Sequence, residues 1–382
     1  MSMEFADRVG RVEPSATLAI SDLASKLEAD GKDVVDLSVG EPDFPTPENV
    51  IDAAKDAMDA GHTGYAPSNG VPELKDAIVE KLQADGIDCG PENLIVTPGA
   101  KQALYETVQS LVDDGDEVVL LDPAWVSYEA MVKLAGGSLN RVDLAEYDFQ
   151  LAPALDDLSD AVSDDTELLV VNSPSNPTGA VYTDEALEGV RDLAVEHDIT
   201  VIADEIYDEI TYGVEQTSLA SLDDMGERTV TINGFSKAYS MTGWRLGYLC
   251  APQGLISQAG KLHSHSVSSA VNFVQHAGIE ALQNTEDDVE EMRAAFEERR
   301  DMLVDLLAEH DVDVAVPKGA FYMMLPVDDD DQAWCEGAIQ DAKVATVPGS
   351  AFNAPGYARI SYAASEERLR EAVERLAEHD YI

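Results

Sequence analysis

The residues best equipped for covalent and charge chemistry in this chain share one placement: each stands beside the end of a short apolar run. Gly99-Ala100-Lys101 follows 93–97, Asp122-Pro123-Ala124-Trp125 follows 117–121, and Asn172 and Asn176 follow 167–171. Asp204 and Tyr207 follow 200–203, Ser236 and Lys237 follow 229–232, and Arg245 leads into 246–250. Lysine is the side chain that condenses with an aldehyde to a Schiff base. A carboxylate such as Asp204 keeps a neighbouring heterocyclic nitrogen protonated. A glycine turn at a helix start, a hydroxyl such as Ser236 and a guanidinium such as Arg245 suit a phosphate, and Trp125 offers an aromatic face. Singly, each has a plainer explanation: a solvated lysine, a helix cap, a turn serine or a core tryptophan. Together they meet the needs of a phosphorylated aromatic aldehyde whose ring nitrogen must be protonated.

Such a set converges only if the runs are strands of one sheet. Short apolar runs alternating with helix-like stretches are the pattern of a parallel sheet covered by helices, and ligands of such sheets bind beyond the carboxyl ends of the strands. Strands are expected over 93–97, 117–121, 167–171, 200–203, 229–232 and 246–250, and helices over 101–112, 183–197 and 252–262. After about residue 285 the pattern changes to a long charged helix over 288–310, short strands near 313–316 and 321–325, and a final helix over 366–379. The expected organisation is a large domain over 44–284 and a small one over 285–382, joined by the N-terminal segment 1–43.

The densest motif is Gly234-Phe235-Ser236-Lys237-Ala238-Tyr239-Ser240-Met241-Thr242-Gly243-Trp244-Arg245-Leu246-Gly247. It resembles the pyridoxal-phosphate lysine signature of the class I/II aminotransferases. The resemblance continues through Pro14-Ser15-Ala16-Thr17, Gly40-Glu41-Pro42-Asp43-Phe44, Tyr65-Ala66-Pro67 and Gly99-Ala100-Lys101-Gln102-Ala103-Leu104. Further on it covers Asn172-Ser173-Pro174-Ser175-Asn176-Pro177-Thr178-Gly179, Ala203-Asp204-Glu205-Ile206-Tyr207, Gly319-Ala320-Phe321-Tyr322 and Arg359-Ile360-Ser361-Tyr362. It is nearest to the prokaryotic aspartate aminotransferase branch.

The resemblance implies a fold-type I α/β enzyme: a large domain with a mostly parallel seven-stranded sheet between helices, plus a smaller α+β domain. It implies that pyridoxal 5'-phosphate is bound to Lys237, which then shuttles the proton between substrate α-carbon and cofactor. Asp204 would pair with the pyridinium, and Tyr207 and Asn176 would bond the phenolic oxygen. Trp125 would stack on the ring, while Ser236, Arg245 and the Gly99, Ala100 and Lys101 turn would hold the phosphate. Tyr65 would reach the phosphate of the other subunit of a homodimer. Arg359, with Gly40 and Asn176, would bind the substrate α-carboxylate. Some relatives neutralise a second substrate carboxylate with a partner arginine, but the stretch 256–275 holds no arginine and one lysine, Lys261. In the branch resembled here that task falls to the position of Lys101, with Ser15 and Thr17 in a segment able to close over an amino acid or 2-oxo acid. The cofactor motifs leave two alternatives open: an aminotransferase of broader, neutral or aromatic specificity, and a C–S lyase on the same fold, which would release pyruvate and ammonia without a 2-oxo acid.

Composition narrows the partners. The 382 residues carry 75 Asp plus Glu against 24 Lys plus Arg, a net charge of −51. That surface repels nucleic acid and anionic membranes. The acids are spread along the chain rather than gathered in a tail, which points to adaptation to a salty cytoplasm. With 45% hydrophobic residues the chain reads as globular. Cys89, Cys250 and Cys335 form no disulfide framework. The first ten residues have no long apolar stretch, and no run reaches the ~18 residues of a membrane span, so a soluble cytoplasmic protein is expected. His263 and His265 fall on one face of a presumed strand, fit a surface or an interface better than a metal, and no metal motif accompanies them.

Overall fold

The computed structural model describes residues 3–14, 16–328 and 330–382, and the side chains of all of these except 16–18. Its centre is a seven-stranded sheet. In spatial order the strands are Leu94–Thr97, Gly247–Cys250, Thr229–Gly234, Thr200–Asp204, Thr166–Asn172, Glu117–Asp122 and Ser138–Asp143. All neighbours pair in parallel except those of Gly247–Cys250, which runs against both its partners.

Alternate residues of the central strands feed two separate cores. Val118, Leu120, Leu168, Val170, Ile202, Val230 and Ile232 pack on one face; Val119, Leu121, Leu169, Val171, Val201 and Ala203 pack on the other. Burial on both faces is why these strands read as unbroken apolar runs. Six of the seven were visible in the sequence. The seventh, Ser138–Asp143, was not: it is an edge strand, Ser-Leu-Asn-Arg-Val-Asp, with only Val142 fully buried, and its polar composition hides it.

A three-stranded antiparallel sheet of Val347–Pro348, Tyr357–Ser361 and Tyr322–Pro326 stands apart from the large one. Near it Val35–Asp36 pairs in parallel with Val344–Ala345, so the N-terminal segment docks on the C-terminal third. The long helix forms as Glu286–Ala308 and the last as Glu366–Glu378, the latter capped by Ser365, whose hydroxyl accepts from the Arg368 amide. The strand expected at 313–316 does not form. Val312 and Val314 pack on the core, but no sheet edge lies beside them, and alternation without a ladder partner leaves an extended segment. His263 and His265 lie on the helix Gln253–Ser266, not a strand. His263 is buried rather than superficial: its Nδ1 sits 3.1 Å from the Glu106 carboxylate, which is itself buried.

Among the described residues no helix is long and apolar enough to cross a membrane, no group of metal-ligating residues converges, and the three cysteines are free and buried.

Candidate active site

Six parallel strands end at one edge, and the antiparallel strand Gly247–Cys250 begins there. Arg245, two residues before it, therefore arrives at the place where Trp125, Asn176, Asp204, Tyr207, Ser236 and Lys237 arrive by leaving theirs. These residues line a cavity of about 380 Å³, together with Gly40, Ala100, Lys101 and, from the separate antiparallel sheet, Arg359. Gly99 borders it through Arg245. Of the residues given a cofactor or substrate role from the sequence, Tyr65 lies elsewhere: it is 92% exposed. Ser15 and the side chain of Thr17 lie outside the described residues, but the helix Ala16–Ala29 brings Ser21 to the cavity wall.

Lys237 is half-buried, and its Nζ donates to the Gly40 carbonyl. Burial pushes its pKa down to about 8; Glu41 opposes that, and the Arg359 and Arg245 guanidinium groups add to it. A lysine so placed supplies a substantial neutral fraction, the form that attacks a carbonyl. Asp204, at the end of its strand, is pushed up to about 6 by burial, against the pull of two donors. Those donors are Tyr128 Oη at 2.6 Å and the Ile206 amide at 3.3 Å. Among the described residues no cation bonds this carboxylate, so it has capacity for one.

At the opposite end of the cavity the helix Ala100–Leu111 points its amino terminus inward. Gly99 has φ +83°, and a Cβ there would lie 2.5 Å from Arg245 Nη2. Glycine is required on both counts: the left-handed backbone and the guanidinium packed onto it. Helix terminus, Ser236 and Arg245 together form an anion cradle. Lys101 projects from the first helical turn and places its Nζ 4.6 Å from the Trp125 ring centre; burial, then Arg245, lower its pKa. Trp125 meets Tyr128 edge-on at 5.4 Å.

Arg359 is buried, with Nη1 donating to Asn176 Oδ1 at 3.0 Å and Nη2 to the Ser38 carbonyl at 2.6 Å. Its Nε is buried without a partner, a donor that an incoming carboxylate would satisfy. Asn172 ties the loop together: it donates to the Asp204 carbonyl at 2.9 Å and accepts from the Asn176 amide at 2.8 Å.

Two members of the site escaped the sequence reading. Tyr128 sits one helical turn beyond Trp125, and that spacing places both on one face. Tyr322, part of a quoted motif but without an assigned role, reaches Tyr207 Oη at 2.9 Å from a strand 115 residues away.

The lining carries four cations, Lys101, Lys237, Arg245 and Arg359, against two acids, Glu41 and Asp204. A surplus of positive charge inside a chain of net −51 is the reverse of its surface. It fits a dianionic phosphate and a carboxylate substrate, while the anion cradle, half-buried lysine, Asp204 carboxylate and Trp125 face match the parts of pyridoxal phosphate.

The family model for aminotransferases of class I and II matches residues 32–376. An aspartate aminotransferase of Geobacillus stearothermophilus is 43% identical over 387 residues, covering 98% of each protein. An aspartate/prephenate aminotransferase of Thermus thermophilus is 44% identical over 378 residues, covering 97% of each. The structure of the Thermus thermophilus aspartate aminotransferase with maleate superposes with a TM-score of 0.95 at 43% identity, over 99% of this chain and all of that one.

Proposed function

The chain belongs to the class I and II aminotransferases, and from that membership we propose that it is a pyridoxal-phosphate enzyme moving the amino group of aspartate or glutamate to a 2-oxo acid in two half-reactions. Bound pyridoxal phosphate supplies an aldehyde for the amino group and a ring that withdraws electrons from the α-carbon. Lys237 holds the cofactor at rest and, once freed, carries the proton at the substrate α-carbon. Asp204 keeps the ring nitrogen protonated, Tyr207 and Asn176 hold the phenolic oxygen, and Trp125 covers one ring face. Gly99, Ala100, Lys101, Ser236 and Arg245 hold the phosphate, and the exposed Tyr65 completes the phosphate site of a second copy in a homodimer. Arg359, Gly40 and Asn176 receive the α-carboxylate. Residues 1–43 and 285–382 make up the small domain, and 44–284 the large one.

The observation that carries acidic specificity is Lys101, an ammonium on the cavity wall with no carboxylate partner among the described residues. A second carboxylate brought into a dry pocket unpaired costs several kcal/mol, and Lys101 removes that cost. The dicarboxylate maleate in the Thermus structure, and the relatives' names, agree. Replacing Lys101 by Ser is expected to lower kcat/KM for aspartate and glutamate on the order of 10²-fold, and that for alanine and phenylalanine only about 2-fold. Half-reactions with each amino acid, followed through cofactor absorbance, measure both ratios. Equal losses would assign Lys101 to the cofactor alone and leave a general aminotransferase. The 44% identical relative named for aspartate and prephenate supports one extension: a ring-bearing 2-oxo acid acceptor that also carries a second carboxylate would meet the same lysine.

The charge supports a second reading, of a homodimer at home in a salt-rich cytoplasm. Repulsion among 75 acids is relieved as the Debye length shrinks from about 10 Å at 0.1 M to about 3 Å at 1 M salt. The melting temperature should therefore rise by more than about 10 °C between 0.1 M and 2 M KCl. A flat or falling curve in a thermal scan would refute salt adaptation.

A further inference from the structure

Tyr322 belongs to the small antiparallel sheet, yet its hydroxyl ends inside the catalytic cavity. The side chain is fully buried. Its Oη lies 2.9 Å from Tyr207 Oη, the hydrogen-bond partner of Tyr207 within the chain. The Arg359 guanidinium sits 4.5 Å from the centre of its ring. The fit leaves no slack on the remaining side: a Cβ at Gly40 would come within 2.7 Å of this oxygen, so residue 40 must be glycine for Tyr322 to reach Tyr207. One hydroxyl thus spans the group assigned to the substrate α-carboxylate, Arg359, and the group assigned to the cofactor's phenolic oxygen, Tyr207.

Only one hydrogen can lie between two hydroxyls. If Tyr207 gives its hydrogen to the cofactor oxygen, it must accept from Tyr322. Resting on the cofactor reading above, we propose that Tyr322 is a positioning residue: it donates to Tyr207, turns the Tyr207 hydrogen toward the cofactor, and strengthens that donation as serial hydrogen bonds do. Because its ring also carries Arg359, arrival of a substrate carboxylate is felt at Tyr207 through Tyr322. The charged groups that face the pair are Arg359, Asp204, Glu41 and Lys237.

The test uses the cofactor-loaded enzyme and reads the pH midpoint of its visible absorbance. A donor to the phenolic oxygen favours its deprotonated form, so losing the donor raises the midpoint. Tyr207→Phe should raise it by about 1 unit and Tyr322→Phe by about 0.5 unit, with the double variant no higher than Tyr207→Phe alone. Tyr322→Phe keeps the ring over Arg359, so kcat should fall about 5-fold with KM for the amino acid within about 2-fold. An unchanged midpoint in Tyr322→Phe, or shifts that simply add in the double variant, would overturn the proposal while leaving the cofactor reading intact. A wild-type chain that takes up no pyridoxal phosphate would overturn that reading, and the proposal with it.

Discussion

Lys237→Ala is expected to bind pyridoxal phosphate and yet lose turnover by a factor on the order of 10⁴ to 10⁶. The anion cradle of Gly99, Ser236 and Arg245 and the Asp204 carboxylate are untouched by the change, so the cofactor retains its main attachments. What disappears is the lysine amine that shares the cavity wall with Arg359 and Asp204. With it go the covalent anchor and the base that can reach the substrate α-carbon. Borohydride reduction and peptide mapping should place the label on Lys237 in the wild-type chain and on no residue of the variant; a label on another lysine would sink the assignment. The same variant tests the shared site. Mixed with Tyr65→Ala under conditions that exchange subunits, it should regain part of the activity, because one site of each mixed pair has both Lys237 and Tyr65 intact. No recovery after demonstrated exchange, or a fully active monomer in sedimentation, would remove Tyr65 from the site.

Asp204→Asn should lower kcat on the order of 10³-fold while making the cofactor-free chain more stable at neutral pH. Asparagine keeps an acceptor for Tyr128, gives up only the long 3.3 Å contact with the Ile206 amide, and has nearly the same shape, so packing is preserved. The sign of the stability effect follows from burial. In the folded chain Asp204 is raised to about 6 from its ordinary 3.8, so the folded state holds this proton more tightly than the unfolded state. Its contribution to stability is complete below the ordinary value and is lost as pH rises toward 6, on the order of 3 kcal/mol above that. The variant carries no such loss. It should melt near the wild type at pH 4 and above it at pH 7. Adding pyridoxal phosphate should reverse the order at pH 7, since the ring nitrogen gives the wild-type carboxylate the cation it lacks. A variant less stable than the wild type in cofactor-free form at pH 7 would show that Asp204 is not held at a cost awaiting a partner.

Much of this site was legible because its residues stand at strand ends, and strand ends in a parallel sheet are fixed by the apolar runs before them. Asp204 closes the run Val201–Ile202–Ala203, so finding the strand finds the carboxylate. Lys237 and Arg245 stand near the two ends of one connection between neighbouring strands and were found the same way. What escaped depends on contacts between distant segments. Tyr322 acquires its role from Tyr207, Gly40 and Arg359, three separate parts of the chain, and nothing local marks it. Tyr65 is proposed to act through a second copy, and its exposure within one chain carries no signal of its own. The edge strand Ser138–Asp143 is half solvated and reads as polar, and 313–316 alternates correctly but has no strand to pair with. His263 was misplaced because a His-x-His spacing suits a strand face, whereas the helix in which it lies buries it against Glu106.

The contrast between a cationic cavity and an anionic exterior also bears on how substrate is captured. A dicarboxylate approaching this chain in dilute buffer first meets a long-range barrier and only at contact distance an attraction. Added salt acts unequally on the two, because it screens exposed charges strongly and buried ones weakly. The outer barrier collapses first and the inner well survives. For most enzymes that attract charged substrates electrostatically, the encounter rate falls as ionic strength rises. Here it should climb, so that concentrated salt works as a door opener for anions as well as a support for the fold.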